Sequence, residues 1–236
     1  MNRLFLRFFL VLTTLLLVSP GLSAQEIQDN QTPILRPDPL TEAIRANDTT
    51  TVSELIHNGA VLNPQVVDRT APLNVAIRFS SLETVEMLVN AGARIDTRWV
   101  LPRSEVSYQQ MTPLRWSIVS GRHELVRYFL AKGCDPNEVY ENQLTPLHVA
   151  AERSPEMIEL LLKAKADVTR LDIQGRTPLS VYAANSMDNP KGIDLLLDAG
   201  ANVNHRDTTQ MTPLGWASIL QHSQKANALV ARGGKE

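Results

Sequence analysis

The stretch Thr145-Pro146-Leu147-His148-Val149-Ala150 decides the fold, because its Pro-Leu pair recurs along the chain. The six prolines stand at positions 39, 72, 113, 146, 178 and 213, so successive copies are 33, 41, 33, 32 and 35 residues apart. Each proline is followed after 19 to 22 residues by a glycine, or by Lys165 in the fourth copy. Two marks that keep their spacing over six units indicate internal repeats.

Each unit predicts a pair of short helices. Proline suits the first turn of a helix, and a preceding Thr or Asp can cap it. The second half of a unit has apolar residues at helical spacing, as in Met157, Ile158, Leu161 and Leu162. The glycine ends that helix in a left-handed conformation. One helix pair cannot bury its apolar face alone, so the units are expected to stack.

These marks resemble ankyrin-repeat proteins, whose 33-residue repeat carries the pattern T-P-L-H-x-A. The resemblance covers about residues 38–234. It implies an all-α solenoid of about six stacked helix pairs with β-hairpin-like loops, and a non-enzymatic role in binding a protein partner. The domain is expected to span 38–236, and its repeats are expected at 38–70, 71–111, 112–144, 145–176, 177–211 and 212–236.

Residues 1–24 have the layout of a secretory signal peptide: two arginines, an apolar run, a helix-breaking Ser-Pro-Gly and a small residue at the expected cut. The alternative is an uncleaved anchor that tethers a scaffold for envelope assembly to the membrane. The apolar run from Leu4 to Val18 is shorter than the roughly 20 residues that a spanning helix needs, which favours cleavage. Residues 25–37 are polar and predict a flexible leader.

Composition and motifs exclude several function classes. The net charge of −2 provides no electrostatic footprint for nucleic acid. Cys134 is the single cysteine, so no intramolecular disulfide can form, and its place after a glycine favours a tucked small residue over a redox or intermolecular thiol. The spacing of His and Cys fits no metal motif, and no nucleophile or phosphate-loop motif occurs. We therefore predict no catalytic, cofactor or metal site.

The absence of cysteine pairs favours a bacterial exported protein, so we expect a periplasmic chain that is monomeric when free. Its partner is expected to be a protein that the sequence does not identify. Bacterial proteins of similar appearance include some thought to support oxidative-stress defence and others that neutralise toxins as immunity partners. A membrane contact is expected only if the signal segment stays uncleaved.

Four departures from the repeat pattern carry their own expectations. The insertion at 96–110 adds eight residues, and its Trp99 either folds back to seal the loop or waits for a partner; we expect Trp99 to be partly exposed and the loop to be dispensable for stability. Lys165 predicts a less sharp turn. Tyr182 stands where a first helix usually has Ala, and the longer loop after it is the expected accommodation. Lys225 in the last helix predicts a polar cap on the stack.

The family's geometry places partner contacts on the hairpin tips and on exposed first-helix positions along the concave side. Phe79 and Arg153 are the favoured anchors. The predicted partner-binding residues are Arg78, Phe79, Trp99, Arg103, Tyr108, Glu141, Asn142, Glu152, Arg153, Ile173, Gln174 and Arg176. The same geometry adds the tip residues Val67, Asp68, Thr208 and Thr209 and the helix residues Val119, Ser120, Asn185, Ile219 and Leu220.

Overall fold

The computed structural model describes residues 38–65, 70–104 and 107–236, and within 100–110 it describes the backbone alone. The predicted signal peptide at 1–24, the predicted leader at 25–37 and the tip residues Val67 and Asp68 lie outside the described residues.

The described residues form six helix pairs, and every first helix begins at a repeat proline. The pairs are α1 (Pro39–Ala46) with α2 (Thr49–His57), α3 (Pro72–Phe79) with α4 (Leu82–Asn90), α5 (Pro113–Val119) with α6 (His123–Ala131), α7 (Pro146–Ala151) with α8 (Pro155–Lys163), α9 (Pro178–Ala184) with α10 (Lys191–Asp198), and α11 (Pro213–Ile219) with α12 (Ser223–Ala231). The all-α solenoid of six helix pairs is therefore confirmed.

The helices stack in two layers. Each first helix packs on the first helix of the next repeat. Among the second helices, α2 packs on α4, and α6, α8, α10 and α12 pack on one another in series. Apolar side chains between the layers form one continuous core that runs from Leu40 to Leu229. Phe129 and Leu161 lie within it with no exposed surface, as the apolar spacing of the second helices predicts. Continuity of this core explains why several repeats must fold together.

The helix ends follow the predicted capping chemistry. The carboxylate of Asp38 accepts a hydrogen bond from the backbone N–H of Thr41 at 3.3 Å. The hydroxyl of Thr112 accepts one from the N–H of Arg115 at 3.1 Å. Each bond satisfies a backbone donor that has no partner inside its helix. The caps fix where the first helices begin.

The turn after α8 is as sharp as its glycine counterparts, so the prediction of a looser turn is wrong. Lys165 has φ of +67°, in the left-handed region that Gly133 occupies in the preceding repeat. Ala166 N–H donates to Leu161 O at 3.0 Å, matching the bond from Cys134 N–H to Phe129 O. The backbone therefore keeps the repeat geometry, and Lys165 bears the strain that a glycine would avoid.

The insertion between repeats two and three forms an antiparallel hairpin of β1 (Trp99–Ser104) and β2 (Ser107–Met111). Trp99 pairs with Met111 at the base of the hairpin. The Trp99 side chain is only 3% exposed and meets the ring of Trp116 edge to face, with centroids 6.4 Å apart. The prediction of an exposed Trp99 is therefore wrong, because the ring closes its own loop against α5.

The longer loop between α9 and α10 makes room for the Tyr182 ring, as predicted. Its ring is fully buried, and its hydroxyl donates to Asn189 O at 2.8 Å in the loop before α10. The same hydroxyl accepts from Gly192 N–H at 3.3 Å. A Cβ at position 192 would lie 2.3 Å from the tyrosine ring, so glycine is required there for close packing.

Lys225 is buried, which contradicts the prediction of a polar cap. Its ammonium donates to Tyr182 O at 2.8 Å, to Asn185 O at 2.8 Å and to Asn185 Oδ1 at 2.6 Å. Burial lowers the pKa of Lys225 to about 8, an effect that the carboxylate of Asp188 partly offsets. The chain around Asn185 has oxygen acceptors that satisfy the amine, so a lysine can enter the last repeat interface.

His148 connects neighbouring repeats through hydrogen bonds. Its Nδ1 accepts from Thr145 N–H at 3.3 Å, which leaves Nε2 as the donor to Arg176 O at 3.1 Å. Burial lowers the pKa of His148, so the neutral ring that this arrangement needs is favoured near neutral pH.

A second set of hydrogen bonds connects the end of a first helix to the following repeat. Near the end of a first helix, a backbone carbonyl accepts a hydrogen bond from a side chain of the following repeat. The donors are Ser80 to Ile44 O, Arg122 to Ile77 O at 3.0 Å, Asn185 to Ala151 O at 2.6 Å and His222 to Ala183 O at 3.1 Å. The last carbonyls of a helix lack the N–H four residues on that would bond them inside the helix, so side chains of the next repeat complete these four helix ends.

Candidate protein-binding surface

The residues six and seven positions after each repeat proline form what we call the first-helix row. They fall at the end of each first helix, and most of them are exposed, whereas Val119, Ala184 and Asn185 are half-buried. The exposed members named in the sequence analysis are Arg78, Phe79, Ser120, Glu152, Arg153, Ile219 and Leu220. Phe79 is 45% exposed, Ile219 65% and Leu220 42%, so the row is apolar as well as charged.

The densest part of the row is a cationic–aromatic cluster of Arg45, Arg78, Phe79 and Trp116. The guanidinium of Arg45 lies 4.8 Å from the centre of the Phe79 ring, and that of Arg78 lies 4.9 Å from it. Arg78 also lies 6.0 Å from the Trp116 ring. Two cations therefore share one exposed aromatic ring, a geometry that holds both side chains in place.

The middle of the row borders a small cleft between α5 and α7. The cleft has a volume of about 130 Å³ and is lined by Val119, His148, Glu152 and Arg153 among others. A cleft of 130 Å³ admits a side chain and is too small for a drug-sized ligand, which needs roughly 300 Å³ or more.

The hairpin tips form a second set of accessible residues. Their backbones are joined in series: Ile173 N–H donates to Asn142 O at 2.9 Å, and Thr208 N–H donates to Gln174 O at 3.1 Å. The side chains of Asn142, Ile173, Gln174 and Thr208 are exposed, with Ile173 62% exposed. The structure therefore brings the predicted tip residues of three successive loops together.

Two predicted contact residues are engaged inside the protein. Glu141 is half-buried and pairs with the buried Arg115 at 2.7 Å. Arg176 is half-buried and pairs with Asp172 at 2.8 Å, which fixes the tight turn before α9. Their first role is to hold the tips in place.

The remaining predicted contact residues differ in how exposed they are. Trp99 is buried and leaves the candidate surface. Arg103 lies in β1 and Tyr108 in β2, where the backbone alone is described. Asn185 is half-buried and connects repeats through Ala151 O and Lys225. Thr209 is exposed, and Val119 is half-buried.

A cavity of about 350 Å³ lies away from the first-helix row, beside Cys134 and Glu138. Burial, with smaller contributions from Glu138 and Asp96, raises the pKa of the Cys134 thiol to about 12, so the reactive thiolate is disfavoured. Glu138 accepts hydrogen bonds from Thr112 at 2.7 Å and from Tyr140 at 2.6 Å. These polar groups hold each other by hydrogen bonds. The cavity therefore agrees with a structural, partly buried Cys134.

Over the part of the chain that the structure describes, no group of three or more His, Cys, Asp or Glu side chains could hold a metal ion. Within the same residues, no helix is long and apolar enough to cross a membrane.

Comparisons with known proteins agree with the repeat architecture. Residues 116–207 match the family model for ankyrin repeats in three copies. Over 75 residues the chain is 43% identical to the ARF GTPase-activating protein Git of Drosophila melanogaster; the match covers 31% of this chain and only 10% of that protein. The fold is similar to an ankyrin repeat domain from Acinetobacter baumannii AYE, with a TM-score of 0.69, 24% identity, and coverage of 84% of this chain and 98% of that one.

Sequence reasoning missed Arg45 and the role of Trp116 in the cluster. Arg45 has the same offset from its proline as Arg78, so the repeat alignment contained a signal for it. Trp116 lies earlier in its helix, and only the stacking of α3 on α5 brings it to Arg78.

Proposed function

Because this chain carries ankyrin repeats in an ankyrin-repeat fold, we propose that it is a non-enzymatic module that binds a partner protein through the first-helix row and the hairpin tips. The observation that carries the proposal is the row of large exposed side chains, among them Phe79, Ile219 and Leu220, beside a core that is complete without them. Phe79 lies in the second repeat and Ile219 and Leu220 in the sixth, with the exposed Glu152 and Arg153 between them in the row. Rigid aromatic and Arg side chains are the usual anchors of protein interfaces.

The test compares capture of partner proteins by three forms of the full chain. Phe79→Ala with Arg153→Ala should weaken capture about tenfold or more, since anchor truncation costs over about 1.4 kcal/mol. Arg127→Ala is the matched control, because Arg127 is an exposed arginine on the second helix α6. Unfolding midpoints should stay equal in all three. Equal capture by the double variant and the control would refute the first-helix row as the binding surface.

We further propose that the protein acts in the periplasm after export. The support is the layout of residues 1–24. Cell fractionation and mass measurement should find a mature chain that begins near Gln25 in the periplasm. Full-length protein in the cytosol would contradict export, and full-length protein in the membrane fraction would favour the tethered scaffold. The captured partner decides between a stress-defence and a toxin-immunity role.

A further inference from the structure

The cationic–aromatic cluster carries more charge than the protein itself neutralises. Arg45 and Arg78 are exposed and belong to different repeats, yet both guanidiniums lie within 5 Å of one phenylalanine ring. Within the described residues, neither arginine takes part in an ion pair. Two like charges at one ring repel each other, and a bound anion would relieve that repulsion.

The contacts with the Phe79 ring also leave guanidinium N–H donors available for a ligand. Each guanidinium carbon lies 4.8–4.9 Å from the ring centre, and a guanidinium has five N–H donors, more than one ring face can engage. Those donors match the two oxygens of a carboxylate in bidentate geometry. Phe79 restricts both side chains beforehand, so less rotamer freedom is lost on binding.

We propose that this cluster binds a carboxylate-bearing segment of the partner protein, with Arg45 and Arg78 as the donors and Phe79 as the apolar platform between them. The inference rests on the proposed function and specifies the chemistry of its partner. Glu152 interrupts the exposed arginines of the first-helix row, and the chain has a net charge of −2, so the row offers nucleic acid no continuous basic track. A short acidic segment needs only the local pair of arginines.

The experiment selects peptides from a random display library on the full chain, on the Arg45→Gln/Arg78→Gln variant, and on the Arg127→Gln control. Asp and Glu should be enriched on the wild type and the control, and the enrichment should disappear on the variant. A selected peptide should lose about tenfold in affinity when its acidic residue is changed to the amide. Its binding should also weaken with added salt.

Selections with the same acidic content on the wild type and the variant would overturn the inference. Binding of single-stranded DNA or of phosphatidylglycerol vesicles that depends on both arginines, without binding of acidic peptides, would overturn it too. The proposed function can survive that failure: partner capture that is lost in Phe79→Ala/Arg153→Ala but intact in Arg45→Gln/Arg78→Gln would retain the module and reject the acidic partner. Equal unfolding midpoints show that the substitutions leave the fold intact.

Discussion

Tyr182 and Gly192 form a packing pair whose energetic coupling can be measured. An added Cβ at residue 192 would lie 2.3 Å from Cζ and 2.5 Å from Cε2 of the ring, whereas relaxed carbon contacts are about 3.5–4.0 Å. The ring must therefore shift by more than about 1 Å, and its hydroxyl is held by Asn189 O at 2.8 Å. Overpacking of this kind costs about 1–3 kcal/mol, and loss of the hydrogen bond adds about 1 kcal/mol.

The assay is a double-mutant cycle in urea unfolding. Gly192→Ala should destabilise by about 1–3 kcal/mol, and Tyr182→Ala by about 3–5 kcal/mol because it leaves a cavity. The double variant should be no less stable than Tyr182→Ala alone, since the clash is gone and alanine favours a helix over glycine by about 1 kcal/mol. The cycle should thus show a coupling of about 1–3 kcal/mol.

Gly215→Ala is the matched control for this cycle. Its added Cβ would meet the end of the flexible Met211 side chain at 2.8 Å, which can move aside. We expect a small effect there that does not depend on Tyr182. Additive effects of Gly192→Ala and Tyr182→Ala would refute the packing argument.

Three further predictions concern single residues. Trp99→Ala should destabilise by about 3–5 kcal/mol in urea unfolding, because the buried ring seals the inserted hairpin; a loss below about 0.5 kcal/mol would contradict that role. Lys165→Gly should raise the melting temperature by a few degrees, since about 1 kcal/mol of left-handed strain is released; an unchanged or lower value would contradict it. Lys225 has a folded pKa of about 8 against an unfolded value near 10.4, so the unfolded chain binds more protons between these values and stability should rise with pH across that window. Lys225→Met should remove that part of the pH slope, and an unchanged slope would assign it to other groups.

The features that the sequence predicts correctly are those that depend on contacts between residues close in the chain. Pro146 and its counterparts locate the first helices, and the glycine after each second helix locates its end, because caps and turns involve residues a few positions apart. The offset from the proline also identifies Arg78 and Phe79 as exposed. These features need only the repeat period.

What the sequence did not predict depends on distant neighbours. Trp99 is buried because the hairpin register and the stacking on α5 bring it to Trp116. Lys225 is buried because the chain around Asn185 turns three oxygens toward its ammonium. Residue type alone favours exposure for a lysine, so the acceptors had to be seen in three dimensions.

The hydrogen bonds to carbonyls at the ends of the first helices all run in the same direction along the stack. Each donor, such as Arg122 or His222, comes from the repeat that follows the helix it completes. Deleting repeats from the C-terminal end would remove the donor to Ala183 O first, whereas deletion from the N-terminal end would leave the remaining donor–carbonyl pairs intact. With respect to these hydrogen bonds, the two ends of the solenoid are unequal places at which to shorten it, and shortening at the N-terminal end should be the better tolerated.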